Sequence, residues 1–478
     1  MTCETRRLIK REAQITKDMV EKEGQRQLAV AKSLGKDIIP NNLRKIATLC
    51  DIDEDYNYDE DGEDTRRKNA TRKRRKAIRP SSYGISERIE NGRARRGKRG
   101  SVISESGEWW DPAKPIYYDF DDKIADGLTK HNQSFAKILQ RALSTIEENT
   151  CFTFIRNKGP SAKILYVDDA KLGCFSPQGK SSKYNEGKYK ISLSSAADCW
   201  TFSTAVHETF HVLGIAHEMA RPDRHEYLLV DDASITNAGG NWAGEFEYYG
   251  MIPFKSPFDY GSVMFYSPYD YHKSGKSCEP VMFATDARYQ FTMSGEEGPT
   301  FYDFKQLNDI YKCSASSLIC ENGGYTNPKN GQKCNCPSNY AGATCNQLAP
   351  SIGLSPNCGG KYSVSNSWTN ITADIKGSYD NEHKCIWHFT SPANSRIQLK
   401  AKIINIENVT ECNHDGYCRD GSLEIKAIKD LSQTGYRFCC DETLTKVGNT
   451  FESPSNYLPV ILHARQHFKI SLVFRAIN

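Results

Sequence analysis

Two histidines four residues apart, His207 and His211, bracket a glutamate at Glu208. On a helix that spacing sets both imidazoles on one face, one turn apart, where they can share a metal ion. Glu208 lies between them and is placed to take a proton from a metal-activated water. Gly214 comes three residues after the second histidine, and His217 three after that. Glycine stops a helix cheaply because it accepts a left-handed conformation, so the chain can turn and present His217 as a third nitrogen ligand. Three protein ligands with the fourth position left to water is the open arrangement of a catalytic zinc site. A bare H-E-x-x-H arises by chance in about 5% of chains this long, and the added glycine and third histidine cut that roughly 400-fold. A closed, purely structural zinc site would leave Glu208 unused and would need a fourth protein ligand.

The stretch from His207 to Glu218, continued by Met219-Ala220-Arg221-Pro222-Asp223-Arg224, resembles the astacin family of zinc endopeptidases, within the metzincins. The resemblance resumes at Asp259-Tyr260-Gly261-Ser262-Val263-Met264-Phe265-Tyr266, where the family has S-x-M-x-Y. It implies that Met264 is the methionine of the turn beneath the metal. It also implies that Tyr266 ligates zinc at rest and swings to hold the oxyanion of the tetrahedral intermediate. Taken alone, Met264 reads as an ordinary core methionine. His225 departs from the family, which usually has Asp after the D-R pair; it is not a ligand, so the departure bears on local packing.

The elements that must position these residues are partly visible. The active-site helix is expected to start near Ser203, with Thr204 as a cap. Phe135, Ile138, Leu139, Ala142, Leu143 and Ile146 recur at helical spacing between Ser134 and Asn149. Strand-like runs follow at Cys151–Ile155, Lys163–Val167 and Tyr189–Leu193. Residues 100–313 are read as an α+β metzincin catalytic domain. The family resemblance implies the bridges Cys151–Cys313 and Cys174–Cys199. Closing the longer loop adds about 5 kcal/mol in the chain-entropy picture. For Cys278 the family offers no partner.

Residues 1–99 are polar and charged, with an acidic run from Asp51 to Asp64 and a basic one from Arg66 to Arg99. Such blocks are usually solvated, and this region is read as a largely disordered propeptide. Leu28, Val30 and Leu34 are compatible with a helix in the first forty residues. Arg96-Gly97-Lys98-Arg99 matches R-x-K-R, the recognition pattern of furin-like processing proteases, in the kind of segment where proteolysis occurs. Trp109-Trp110-Asp111-Pro112-Ala113-Lys114-Pro115-Ile116-Tyr117-Tyr118 resembles the opening strand of the family ten residues later. By the resemblance, cutting after Arg99 frees Gly100, whose amine pairs with Glu218. The family's F-x-G-D zinc-capping motif is not intact; Asp37 is a weak stand-in.

Residues 314–347 carry Cys320, Cys334, Cys336 and Cys345 and resemble an EGF-like module lacking one bridge. That likeness implies Cys320–Cys334 and Cys336–Cys345, and no calcium signature is seen. Residues 358–478 resemble an all-β CUB sandwich, with strands at Ile397–Ala401, Leu423–Lys426 and Phe468–Phe474. There Cys358 is expected to pair with Cys385, and Cys412 and Cys418 with Cys439 and Cys440 in either order. Glu407, Asp415 and Asp420 are weighed as calcium ligands and preferred as solvated surface. The domain order resembles nematode members of the family, which act on cuticle and other extracellular matrix.

The chain has 478 residues, a net charge of +4 that names no partner, and 17 cysteines, of which only Cys3 and Cys50 precede residue 100. Clustered cysteines in loop-rich stretches indicate the disulfides of a secreted protein. Asn69, Asn132, Asn370 and Asn408 are glycosylation candidates in N-x-S/T context. The first twenty residues have no apolar core of the signal-peptide kind, so the true start is expected to lie upstream. No stretch is apolar enough to span a membrane. The expectation is a secreted zinc endopeptidase, activated near Arg99 by a furin-like protease and acting on matrix or cuticle proteins. Its rivals are a catalytically dead extracellular binding protein and a nucleic-acid binder using the basic stretch. Intact ligands and Glu208 count against the first, and the absence of a folded basic face against the second.

Overall fold

The computed structural model describes residues 39–48, 109–159, 161–180, 188–221, 223–235, 256–273, 278–313, 317–353, 358–377, 383–404, 418 and 421–478. Leu28, Val30 and Leu34 lie outside them. So do Asp37, Arg96 to Arg99, Gly100, Asn69, Asn408, Glu407, Asp415 and Asp420.

Residues 39–48 of the charged N-terminal region are among the described residues. Helix α1 (Asn41–Ala47) buries Ala47, together with Ile39, against Leu229 and Phe283. Arg44 Nη2 reaches Asp231 Oδ2 at 2.7 Å, and the Tyr269 hydroxyl donates to the Ala47 carbonyl at 2.8 Å. The solvated character expected of residues 1–99 therefore does not extend to this segment, because Ile39, Leu43 and Ala47 give it an apolar face.

The half that carries the histidine motif is built on a five-stranded sheet. Its strands are β1 (Ile116–Phe120), β2 (Phe154–Arg156), β3 (Ile164–Val167), β4 (Cys174–Phe175) and β5 (Tyr189–Leu193), in the order β2-β1-β3-β5-β4. All pairs are parallel except the edge strand β4, which runs antiparallel to β5. After the short helix α2 (Asp122–Asp126), helix α3 (Phe135–Asn149) turns Phe135, Leu139, Ala142, Leu143 and Ile146 inward at a 3.6-residue period. Ile138 packs at the edge of the same core. Truncating a fully buried member such as Leu139 to alanine would cost about 2–5 kcal/mol.

Helix α4 (Phe202–Val212) carries the histidine motif and is buried along nearly its whole length. Its N-cap is Thr201, whose hydroxyl accepts from the Thr204 amide at 3.0 Å. The cap thus falls three residues earlier than Thr204, which lies inside the first turn. A two-stranded ladder of β6 (Leu228–Val230) and β7 (Met282–Ala284) and a last helix, α5 (Phe301–Ile310), complete this half. Cys151–Cys313 and Cys174–Cys199 are bonded.

Residues 317–353 form two small ladders, β8 (Tyr325–Thr326) with β9 (Cys334–Asn335) and β10 (Tyr340–Ala341) with β11 (Gln347–Leu348). They are stapled by Cys320–Cys334 and Cys336–Cys345. Asn327 and Asn335 donate to the carbonyls of Glu148 and Asn149, fastening this segment to the end of α3.

The C-terminal part is a two-sheet sandwich. One sheet has the order β12 (Gly360–Ser363), β14 (His383–Thr390), β19 (Tyr457–Ala464), β16 (Gly421–Ile425), β17 (Tyr436–Phe438). The other is β13 (Thr369–Lys376), β20 (His467–Ile477), β15 (Arg396–Ile404), β18 (Thr450–Glu452). Burial alternates along β20 residue by residue, as a one-faced sheet requires. A short helix, α6 (Asp441–Lys446), flanks it, and Lys446 donates to the Thr48 carbonyl just past α1. Cys358–Cys385 and Cys418–Cys439 are bonded, the latter giving Cys418 its partner, while Cys412 lies outside the described residues. Cys278 and Cys440 are disulfide-bonded as well. Asn132 and Asn370 are exposed. Among the described residues no helix is long and apolar enough to cross a membrane.

Candidate active site

The helical stop does what the spacing demands. Gly214 has φ of +96°, and after it the Ile215 amide returns to the Phe210 carbonyl at 3.0 Å. This turn brings the Ile215 carbonyl to His211 Nδ1 at 2.8 Å. His207 Nδ1 lies 2.7 Å from the Val263 carbonyl. A carbonyl only accepts, so both Nδ1 atoms carry the proton and Nε2 is left as the lone-pair nitrogen on each ring. His211 Nε2 and His217 Nε2 stand 3.0 Å apart, and one ligand atom from each of His207, His211 and His217 lies within 4.8 Å of the others. Burial depresses the basicity of all three: His207 falls to about 4, and His211 and His217 well below the ordinary value. Three buried, neutral imidazoles with converging lone pairs fit a zinc ion that keeps an open position.

Glu208 is buried on the same helix. Burial pushes its carboxyl up to about 8, against the Ser176 hydroxyl, which favours the charged form. The Tyr266 ring packs on His217 with centroids 4.3 Å apart. Met264 is buried in the core that also holds Ala205, Val206 and Phe210 of α4, and its carbonyl accepts from the Glu218 amide at 2.9 Å. The structure thus brings His207, His211, His217, Tyr266, Met264 and Glu218 to one place.

Glu218 is enclosed by protein groups. Its Oε1 accepts from Arg221 Nη1 at 3.1 Å and from the Asp259 amide at 3.0 Å. Burial lifts its carboxyl to about 7, with Arg221 opposing. Arg221 in turn is clamped by Asp223 and by the carbonyls of Ser256 and Pro257. Gly100, the expected partner of Glu218, lies outside the described residues.

Two supports were not read from the sequence. Asp303 forms a capping box with Thr300 at the start of α5 and also accepts from the Ser262 hydroxyl and the Val263 amide. It therefore ties α5 to the turn whose Val263 carbonyl orients His207. Thr300-x-x-Asp303 was the available signal, although it announces only the cap. Trp110 Nε1 donates to the Val212 carbonyl at 2.8 Å, closing the last turn of α4.

Comparison with known proteins follows this geometry. The profile of the Astacin peptidase family matches residues 102–312, and that of the CUB domain residues 358–472. Zinc metalloproteinase nas-17 of Caenorhabditis elegans is 30% identical over 396 residues, 82% of this chain and 84% of that protein. Zinc metalloproteinase dpy-31 of Caenorhabditis elegans is 31% identical over 340 residues, 69% of this chain and 53% of that protein. Zinc metalloproteinase nas-31 of the same organism is 28% identical over 381 residues, 76% and 56%. The chain spans little more than half the length of dpy-31 and nas-31. With a match covering most of one relative at this identity, and with zinc-fitting histidines where the family profile lies, the chain belongs to the astacin family of zinc metallopeptidases.

Proposed function

We propose that this chain is a secreted zinc endopeptidase, made as a precursor, cut after Arg99 by a furin-like protease, and directed at extracellular matrix or cuticle proteins. The observation that carries the reading is the convergence of three neutral imidazoles beside Glu208 and Tyr266. His207, His211 and His217 would hold zinc, which when bound would supply Lewis acidity toward the scissile carbonyl. Glu208 takes the proton of the attacking water and hands it to the leaving amine, as a buried carboxyl of raised basicity suits. The Tyr266 hydroxyl donates to the developing oxyanion. The disulfide-rich construction supports an oxidising, extracellular setting. Matrix or cuticle as substrate rests on the domain order alone.

The test is zinc content and casein hydrolysis of purified protein, before and after cleavage at Arg99, beside the Glu208→Gln variant. One zinc per chain is expected, with activity appearing after the cut and lost in Glu208→Gln while zinc stays. Cleaved, folded, zinc-loaded protein that hydrolyses nothing would leave the dead binding protein as the better reading.

A further inference from the structure

The segment 256–266 is held from two sides. From the catalytic side, Ser256 and Pro257 receive Arg221, the Asp259 amide donates to Glu218, and Ser262 and Val263 are held by Asp303. From the other side comes the connection between β16 and β17 of the sandwich. Gln433 Nε2 donates to the Phe258 carbonyl at 2.9 Å, and the Thr434 amide to Asp259 Oδ1 at 3.3 Å. The Thr434 side chain lies over Gly261, where a Cβ would stand 2.5 Å from its Cγ2 and Oγ1. Gly261 has no left-handed backbone, so the room it leaves serves Thr434 and not its own conformation.

These contacts belong to a broad junction. The Arg437 amide donates to Thr292 Oγ1 at 3.0 Å, the Tyr302 hydroxyl to Asp430 at 2.7 Å, and Tyr289 packs on Tyr436 at 4.5 Å. Tyr269 and Phe291 of the catalytic half are buried in the sandwich's own core. A module that only recruits substrate needs none of this. Only two hydrogen bonds separate the Thr434 amide from Glu218, the residue after the third histidine: Thr434 to Asp259, and Asp259 to Glu218.

We propose that the β16–β17 connection is a positioning element of the catalytic centre: Gln433 and Thr434 hold residues 258–261 and, through Asp259, the turn that carries His217 and Glu218. The proposal rests on the peptidase reading above for its consequence in turnover. It predicts that the sandwich sets kcat on substrates too short to touch it.

The test uses full-length protein cleaved at Arg99. Gly261→Val places a side chain in the space of Thr434, and the double variant with Thr434→Gly reopens that space. Turnover of a short peptide is measured, together with zinc retention against a chelator, which needs no turnover. Gly261→Val is expected to lower kcat about tenfold with KM within twofold, and to release zinc several-fold more readily; the double variant should recover most of both. Wild-type values in Gly261→Val, or no recovery in the double variant, overturn the proposal. If Gly261→Val does not fold, Gln433→Ala removes one hydrogen bond and should still lower kcat about threefold at unchanged KM; an unaltered kcat there overturns it too. A wild type that binds zinc but has no activity sinks the peptidase reading instead, and zinc retention then decides this one.

Discussion

Asp303→Ala should unfasten the turn that orients His207. Asp303 is 3% exposed and accepts from the Thr300 amide at 2.8 Å, the Val263 amide at 3.0 Å and the Ser262 hydroxyl. Alanine strands both amides in a dry site, while the hydroxyl can rotate to another acceptor. A stranded buried donor costs about 1–3 kcal/mol, so the two together cost about 2–6 kcal/mol. For a domain of this size each kcal/mol moves the melting temperature roughly 2–4 °C, which places the expected fall on the order of 10 °C. Because the Val263 carbonyl fixes the His207 ring, zinc affinity should also fall, by about 10–100-fold as for other ligand-orienting partners. The assay is thermal unfolding of zinc-loaded protein at fixed scan rate, followed by near-ultraviolet dichroism, plus a competitive zinc titration. Asp309→Ala is the control, since its i,i+4 pair with Lys305 is partly exposed and worth about 0.5 kcal/mol or less. If Asp303→Ala melts within about 2 °C of that control and binds zinc as tightly, α5 does not hold the turn and the reasoning fails.

Tyr266→Phe should leave zinc content and melting temperature unchanged while lowering kcat by about 10²-fold, the scale of a lost oxyanion donor; steady-state kinetics showing an unaltered kcat would remove the hydroxyl from the mechanism. Gly214→Val forces a β-branched residue to φ of +96°, costing about 1–3 kcal/mol and pulling the Ile215 carbonyl off His211. Weaker zinc binding in a chelator titration is the expected sign, and wild-type affinity would contradict it. In the sandwich, burial raises the Glu424 carboxyl, but Lys426, Arg437 and the Gly435 amide outweigh burial and hold it well below the usual range. Its contribution is therefore full above the unfolded value, about pH 4.3, and lost as pH falls through the lower folded value. Melting of the wild type from pH 7 to 3 should show this acid limb; Glu424→Gln should lack it and begin about 3–5 kcal/mol less stable at neutral pH, and an identical limb would refute the assignment. Arg44→Glu, facing Asp231, should expose residues 39–48 to trypsin roughly tenfold faster, a change of about 1.4 kcal/mol, with Asp231→Arg restoring protection.

What could be read in advance was local. The spacing of His207, Glu208 and His211 needs only the helix period, and Gly214 needs only its own backbone freedom. The inward face of α3 follows from the same periodicity. Where two neighbouring residues compete for one role, periodicity does not choose. Thr201 and Thr204 both sit at the start of an apolar helix, and Thr201 is the cap because its hydroxyl meets the Thr204 amide. The role of Asp303 was hidden for a different reason. Its partners Ser262 and Val263 lie 40 or 41 residues earlier, and only the packing of α5 against the turn brings them together.

The same logic explains Gly261 and the N-terminal segment. Within the motif Asp259 to Tyr266, a glycine at 261 has no visible cause, since its backbone is one any residue can adopt. Its cause sits more than 170 residues away, in the Thr434 side chain that occupies the missing Cβ position. Residues 39–48 look like part of a solvated, charged leader until Leu229, Phe283 and Asp231 supply an apolar floor and a counter-charge. Lys446 and Tyr269 then close on the carbonyls of Thr48 and Ala47, so the sandwich, the catalytic half and the N-terminal segment meet around one short helix. The ligand set depends on residues close together in sequence, but its rigidity depends on elements far apart. A substitution at Thr434 or Asp303 should therefore reach the metal site as surely as one at the residues flanking the histidines.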